Sequence, residues 1–161
     1  MSGFRPDLVD VWIYRAGESG VEVLMLHRSP GRVMAGLWQG VSGAIEDSET
    51  VVAAALREVR EETGVGLDAV EAFHHLDYVA QFFWQPADAV VSSVYFALRV
   101  GPTTEPVLSH EHDAYRWLPV EQAIASAMWP GYAEGLRRLV DCVLDPARAP
   151  WFAVDRGASA L

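Results

Sequence analysis

Glu58, Glu61 and Glu62 follow one another at i, i+3 and i+4, the spacing that gathers side chains on one face of an α-helix. Like charges so placed repel and weaken the helix that carries them, so a chain that retains them has a use for them. A second face, formed by Val52, Ala55, Leu56 and Val59, is apolar and turns towards a core. Asp47 or Ser48 suits the start of this helix as a cap, and Gly64 suits its end as a left-handed residue. Arg57 lies within reach of Glu49 and can hold the preceding loop against the helix. The donors are carboxylate oxygens with no Cys or His among them, which suits Mg²⁺ or Mn²⁺ rather than zinc. The plain alternative is a solvated acidic helix with a surface salt bridge. Gly43 and Glu49, at fixed distances upstream, weigh against it.

Gly43, five residues, Glu49, seven residues, and then Arg57-Glu58-Val59-Arg60-Glu61-Glu62-Thr63-Gly64-Val65 form one pattern. It resembles the signature box of the Nudix hydrolases at every specified position. The resemblance implies an α/β/α sandwich with a mixed sheet, where residue patterns alone allow α+β or α/β. It further implies hydrolysis of a phosphoanhydride in a nucleoside-diphosphate-linked substrate with a bound divalent cation. Glu58, Glu61, Glu62 and the Gly43 carbonyl would hold metal, while Glu49, Arg57 and Gly64 would be structural. Glu111 would add a ligand or act as the base, with Glu61 or Glu62 as the alternative base. Two positions depart from the common pattern: Ser42 and Ser48 stand where Gly is frequent.

Two subfamilies are similar beyond the box. Ser109-His110-Glu111-His112, with Ala114, Tyr115, Trp117 and Leu118, resembles dihydroneopterin triphosphate diphosphatases, which also hydrolyse dATP, and asymmetric diadenosine tetraphosphate hydrolases. Leu37-Trp38-Gln39-Gly40-Val41-Ser42-Gly43 and Leu24-Met25-Leu26-His27-Arg28 are similar to the former, and the Pro-Lys-Gly of the latter is missing. The resemblance runs from about Arg5 to Leu139. It favours a triphosphate cleaved to pyrophosphate and a monophosphate, with the dinucleoside polyphosphate as the alternative. A Nudix-like binding module without catalysis is the alternative of another class, and the intact carboxylates argue against it.

With 161 residues the chain is expected to form one domain over 1–145 followed by a tail over 146–161. Its net charge of -10 argues against a nucleic-acid partner. That charge also repels a polyphosphate, unless bound cations reverse the sign of the site. The expected partner is a small polyphosphate; the sequence leaves the oligomeric state open. A single cysteine, Cys142, excludes an intrachain disulfide and suits a small packed residue. Met1 to Asp10 lacks the apolar run of a signal peptide and no stretch resembles a membrane span, so a cytoplasmic location is expected.

Alternation and turn residues predict strands at Val9–Tyr14, Val21–Arg28, Leu37–Ser42, Ala72–Trp84, Val90–Val100 and Tyr115–Leu118. Arg15–Gly20 should be a turn. Pro119 should open a helix to Ser126, and a second helix should span Tyr132–Leu144. Trp151 and Phe152 can dock the tail. Arg28 and Arg32 could reach phosphate oxygens, and Trp38 and Gln39 could line the substrate site. His110 and His112 could bind zinc if extended, although such a pair is more often a hydrogen-bonding feature.

Overall fold

The computed structural model describes residues 3–155. From Val9 to Tyr14 every side chain of β1 (Leu8–Gly17) is buried, so both faces of this strand are covered. That marks a central strand of a sheet packed on both sides. The other elements are β2 (Gly20–Arg28), β3 (Trp38–Gln39), β4 (Val41–Ala44), α1 (Val51–Thr63), β5 (Val70–Trp84), β6 (Ala89–Val100), β7 (His112–Pro119), α2 (Val120–Ser126), α3 (Pro130–Arg138) and α4 (Ala149–Phe152). The seven strands form one mixed sheet in the order β3-β2-β1-β6-β5, with β4 on β1 and β7 on β2. β1 runs parallel to β6 and antiparallel to β2 and β4.

Period-two alternation divides the core. Val9, Val11 and Ile13 point to the face covered by Ala54, Ala55 and Val59 of α1. Trp12 and Tyr14 point to the opposite face, where Ala123 of α2 and Leu136 of α3 cover them. The result is the expected α/β/α sandwich. Cys142 is buried and free in a π-helical turn (Leu139–Val143) that continues α3. Among the described residues no helix is long and apolar enough to cross a membrane.

Several boundaries differ from the sequence expectation. β1 and β2 extend until Gly17 pairs with Gly20, leaving only Glu18 and Ser19 to turn where Arg15–Gly20 was expected. The expected strand Leu37–Ser42 is broken at Gly40. Trp38 and Gln39 pair with the end of β2, whereas Val41 to Ala44 pair with the start of β1. A Cβ on Gly40 would lie 2.9 Å from the Trp12 ring and from the Val11 carbonyl oxygen, so the crossover between strands passes where only glycine fits. Thr50, not Asp47 or Ser48, caps α1, accepting from the Ala53 N–H at 3.2 Å. Gly64 ends α1 at φ 69°, as expected. In the tail, Phe152 packs on His75 and the Val154 N–H donates to the Phe73 carbonyl at 2.8 Å. Trp151 does not dock; it is 84% exposed. Residues 156–161 of the expected tail lie outside the described residues.

Candidate active site

After the break at Gly40, Gly43 pairs with Val9 and looks to the α1 side of the sheet, while Ser42 pairs with Asp10 and looks to the other. A Cβ on Gly43 would lie 2.0 Å from the Glu58 carboxyl carbon, so glycine here lets the carboxylate lie against the strand backbone. Glu49 lies in the loop before the helix, and Arg57 reaches back to it with Nε at 2.9 Å and Nη2 at 3.0 Å. The same guanidinium donates to the Ala44 carbonyl at 2.9 Å and to Glu58 at 2.7 Å. Arg57 thus ties the loop, β4 and α1 together. Glu49 hydrogen-bonded to it pushes the guanidinium well above its ordinary value, and the same bond holds the Glu49 carboxyl below the usual range. Arg5, which sequence reasoning missed, supports this loop from the other side by donating to the carbonyls of Glu46, Asp47 and Glu49. An isolated basic residue near the N-terminus carries no pattern that could have revealed it.

The three glutamates of the helix are not equivalent. At 100° per residue, Glu58 and Glu62 lie on one line and Glu61 stands well to the side of Glu62. Glu62 is 3% exposed, and its Oε2 has no hydrogen-bond partner. Burial, then the charges of Glu58 and Glu111, push its carboxyl up to about 9, while the Ser42 N–H pulls the other way. Glu58 is half-buried and also raised by burial, against the pull of Arg57. Glu61 faces solvent and shares the Arg57 Nη1 with Glu58, at 3.2 and 2.7 Å, so it lies beside Glu58 on the exposed side of the group.

Glu111 arrives from the far side of the chain. The N–H groups of Val107 and Ser109 donate to the carbonyls of Thr63 and Glu62, docking this loop on the end of α1. Arg28 then grips Glu111 at 2.6 Å. Burial pushes the Glu111 carboxyl up, but the hydrogen bond and charge of Arg28 outweigh it and leave it below its ordinary value. The charge of Arg32 acts on Glu111 in the same sense. His110 is exposed whereas His112 is buried, with burial holding His112 down to about 4 and its Nδ1 unpartnered. His110 sits in the turn before β7 and His112 opens the strand, so one ring is in solvent and the other in the core, which does not favour a shared zinc.

Among the described residues no three acidic, His or Cys side chains close into a ready cation cage. The carboxylates are instead engaged by arginines: Arg57 holds Glu58 and Glu61, and Arg28 holds Glu111. The donor chemistry nevertheless fits a divalent cation: oxygens only, one buried oxygen without a partner, and acids that raise one another's pKa. Gly43→Ala tests how closely the strand must approach. The clash falls on the movable end of Glu58, so the variant should melt within a few degrees of wild type. Its turnover should fall by about tenfold or more, because the carboxylate is displaced; unchanged turnover would show that the close approach is incidental.

Beside this acidic group opens a cavity of about 570 Å³. Gly43, Ser42, Gln39 and Arg28 belong to one part of its wall, and Phe82, Phe83, Trp84 and Trp129 to another. Trp38 is not on that wall. It packs between the His27 ring and the Arg116 guanidinium.

A model of the NUDIX domain matches residues 5–139. The chain belongs to the Nudix family of hydrolases. An octanoyltransferase of Myxococcus xanthus is 32% identical over 132 residues, 81% of this chain but 35% of that protein, so the chain spans about a third of that relative. The asymmetrical bis(5'-nucleosyl)-tetraphosphatase of Mus musculus is 35% identical over 73% of this chain and 77% of its own. The dihydroneopterin triphosphate diphosphatase of Escherichia coli K12 is 31% identical over 75% and 83%. A solved E. coli dihydroneopterin triphosphate pyrophosphohydrolase superposes with a TM-score of 0.71 at 26% identity, covering 84% of this chain and 95% of that one.

Proposed function

We propose that this Nudix domain hydrolyses a nucleoside or pterin triphosphate to the monophosphate and pyrophosphate, with Mg²⁺ or Mn²⁺ in the acidic site. The observation that carries the reading is the cavity, whose wall includes Gly43, against which Glu58 lies, and Arg28, which holds Glu111, together with the aromatic residues Phe82, Phe83, Trp84 and Trp129. That arrangement suits one planar ring and a short phosphate chain. Glu58, Glu62, Glu111 and the Gly43 carbonyl would hold the cation, with Glu61, which shares Arg57 with Glu58, as a further ligand from the exposed side. A divalent cation there supplies charge neutralisation at the phosphate and lowers the pKa of the attacking water. Glu111 takes the proton of that water, and Arg28 holds Glu111 in position. Arg57 and Glu49 fix the loop and helix to each other, and Gln39 lines the wall. Trp38, away from that wall, supports β2 instead of touching substrate. A cytoplasmic location, where nucleotides occur and an unpaired buried cysteine is stable, goes with this reading.

The similarity to the mouse tetraphosphatase favours a second reading, in which a dinucleoside tetraphosphate is cleaved asymmetrically. Against it, Arg28 is the one basic side chain on the cavity wall among the described residues, and it is already paired. A longer phosphate chain benefits from further cations. Turnover of dATP, a pterin triphosphate and diadenosine tetraphosphate, measured side by side, separates the two. The expected result is a higher kcat/KM for a triphosphate, complete loss in EDTA and recovery with Mg²⁺ or Mn²⁺. Preference for the tetraphosphate would replace the substrate, and full activity in chelator would sink the mechanism.

A further inference from the structure

Asp10 breaks the pattern of its strand. Alternation along β1 places Asp10 on the same face as Leu8, Trp12 and Tyr14, in a row otherwise apolar or aromatic. It is 5% exposed, yet it borders the cavity. No arginine forms an ion pair with it among the described residues. Its partners are hydroxyls: Ser93, and also Ser42 and Tyr95. Burial pushes its carboxyl up to about 6, with these hydroxyls pulling the other way, so it is largely ionised at neutral pH.

A buried carboxylate without a cation is costly, and three hydroxyls tying strands together do not require one. A carboxylate has about four lone-pair positions; the Ser93 hydroxyl takes one on Oδ2, and the Ser42 and Tyr95 hydroxyls can turn their protons away, which leaves a position on each oxygen for a ligand. Ser42 links the two parts of the site: its hydroxyl faces Asp10 and its backbone N–H faces Glu62. Asp10, Gly43 and the aromatic residues line the same cavity, so a ring held there can present its edge to Asp10 with its phosphates towards Gly43.

Resting on the triphosphate reading above, we infer that Asp10 selects the ring, accepting two adjacent N–H donors of a 2-amino-4-oxopyrimidine edge such as guanine or a pterin carries. Two carboxylate oxygens match a ring N–H beside an amino group. Adenine offers its amino group beside a ring nitrogen that only accepts, which faces a carboxylate oxygen with a lone pair. Hypoxanthine keeps the ring N–H and lacks the amino group, so it isolates one of the two bonds.

The test compares kcat/KM for GTP, ITP and ATP in wild type and Asp10→Asn, alongside calorimetric binding of GMP, IMP and AMP. Wild type should favour GTP over ITP by about tenfold to a hundredfold, the scale of one charge-assisted hydrogen bond. Asp10→Asn should bring the two within about threefold, because one acceptor has become a donor. A residue that merely knits the strands would lower all three substrates together and leave the ratios unmoved; that outcome overturns the assignment. Equal wild-type rates for GTP and ITP overturn it as well. If wild type cleaves none of the three and no pterin triphosphate either, the triphosphate reading has failed, and the GMP to IMP binding ratio decides alone: about tenfold tighter GMP sustains the role of Asp10, equal affinities end it. That ratio needs no variant, so a poorly folded Asp10→Asn does not spare the inference.

Discussion

Glu62→Gln should lose about a thousandfold or more in turnover and yet melt higher than wild type in chelator at pH 7. The two effects have one cause. Glu62 is buried with an unpartnered oxygen beside Glu58 and Glu111, so its negative charge is useful only when a cation answers it. Without a cation the folded-state carboxyl titrates at about 9, against an ordinary value of 4.5. A folded pKa raised in this way gives a stability contribution that is complete below the ordinary value and lost as pH rises towards 9. Gln keeps the shape and never acquires the charge. The difference in melting temperature should therefore be absent near pH 4 and widen through neutrality to a few degrees, the scale that 1–2 kcal/mol gives in a domain of this size. Saturating Mg²⁺ should raise wild type more than the variant, because only wild type retains the full ligand charge. Wild-type turnover in Glu62→Gln would remove this carboxylate from the site.

The signature residues were legible in the sequence because their roles are local. Arg57 and Glu49, and Gly64 ending α1, follow from distances along one loop and one helix. The sandwich follows from the same helix turning Ala55 and Val59 inward beneath a strand whose two faces are both apolar. What could not be read depends on contacts between distant segments. Arg28 meets Glu111 across 83 residues, and Asp10 meets Ser93 across the same separation. The break at Gly40 depends on Trp12 occupying the space a side chain would need. The inequality of the three glutamates was half visible. Helical spacing puts them on one side of α1, but only the docked sheet decides that Glu62 is buried and Glu61 is wet. Trp38 differs from its neighbour Gln39 for a related reason: side chains alternate along β3, so Gln39 lines the cavity while Trp38 packs on His27 and Arg116.

Glu111→Gln should lower turnover by the 10²–10⁴-fold of a lost general base, with a pH signature opposite to that of Glu62→Gln. Arg28 holds the Glu111 carboxyl below its ordinary value against the opposing effect of burial. A depressed folded pKa stabilises above the unfolded value, and the contribution disappears as pH falls through the folded value. The variant should therefore melt slightly lower than wild type at neutral pH and match it in acid. The pair is partly exposed on both sides, 20% for Arg28 and 35% for Glu111, so the loss at neutrality should be about 1 kcal/mol or less. His110→Ala, altering an exposed side chain, should leave turnover within a few-fold of wild type. His112→Ala removes a buried ring and should cost stability before it costs chemistry. The informative comparison is between the rate and the melting curve of Glu111→Gln. A large loss of rate with this small, acid-reversible loss of stability assigns Glu111 to the reaction, because a structural partner of Arg28 would affect the rate no more than the fold. A wild-type rate with the same melting curve would leave Glu111 as a tether for Arg28 and return the base to α1, where Glu62 and then Glu61 would be the next carboxylates to test.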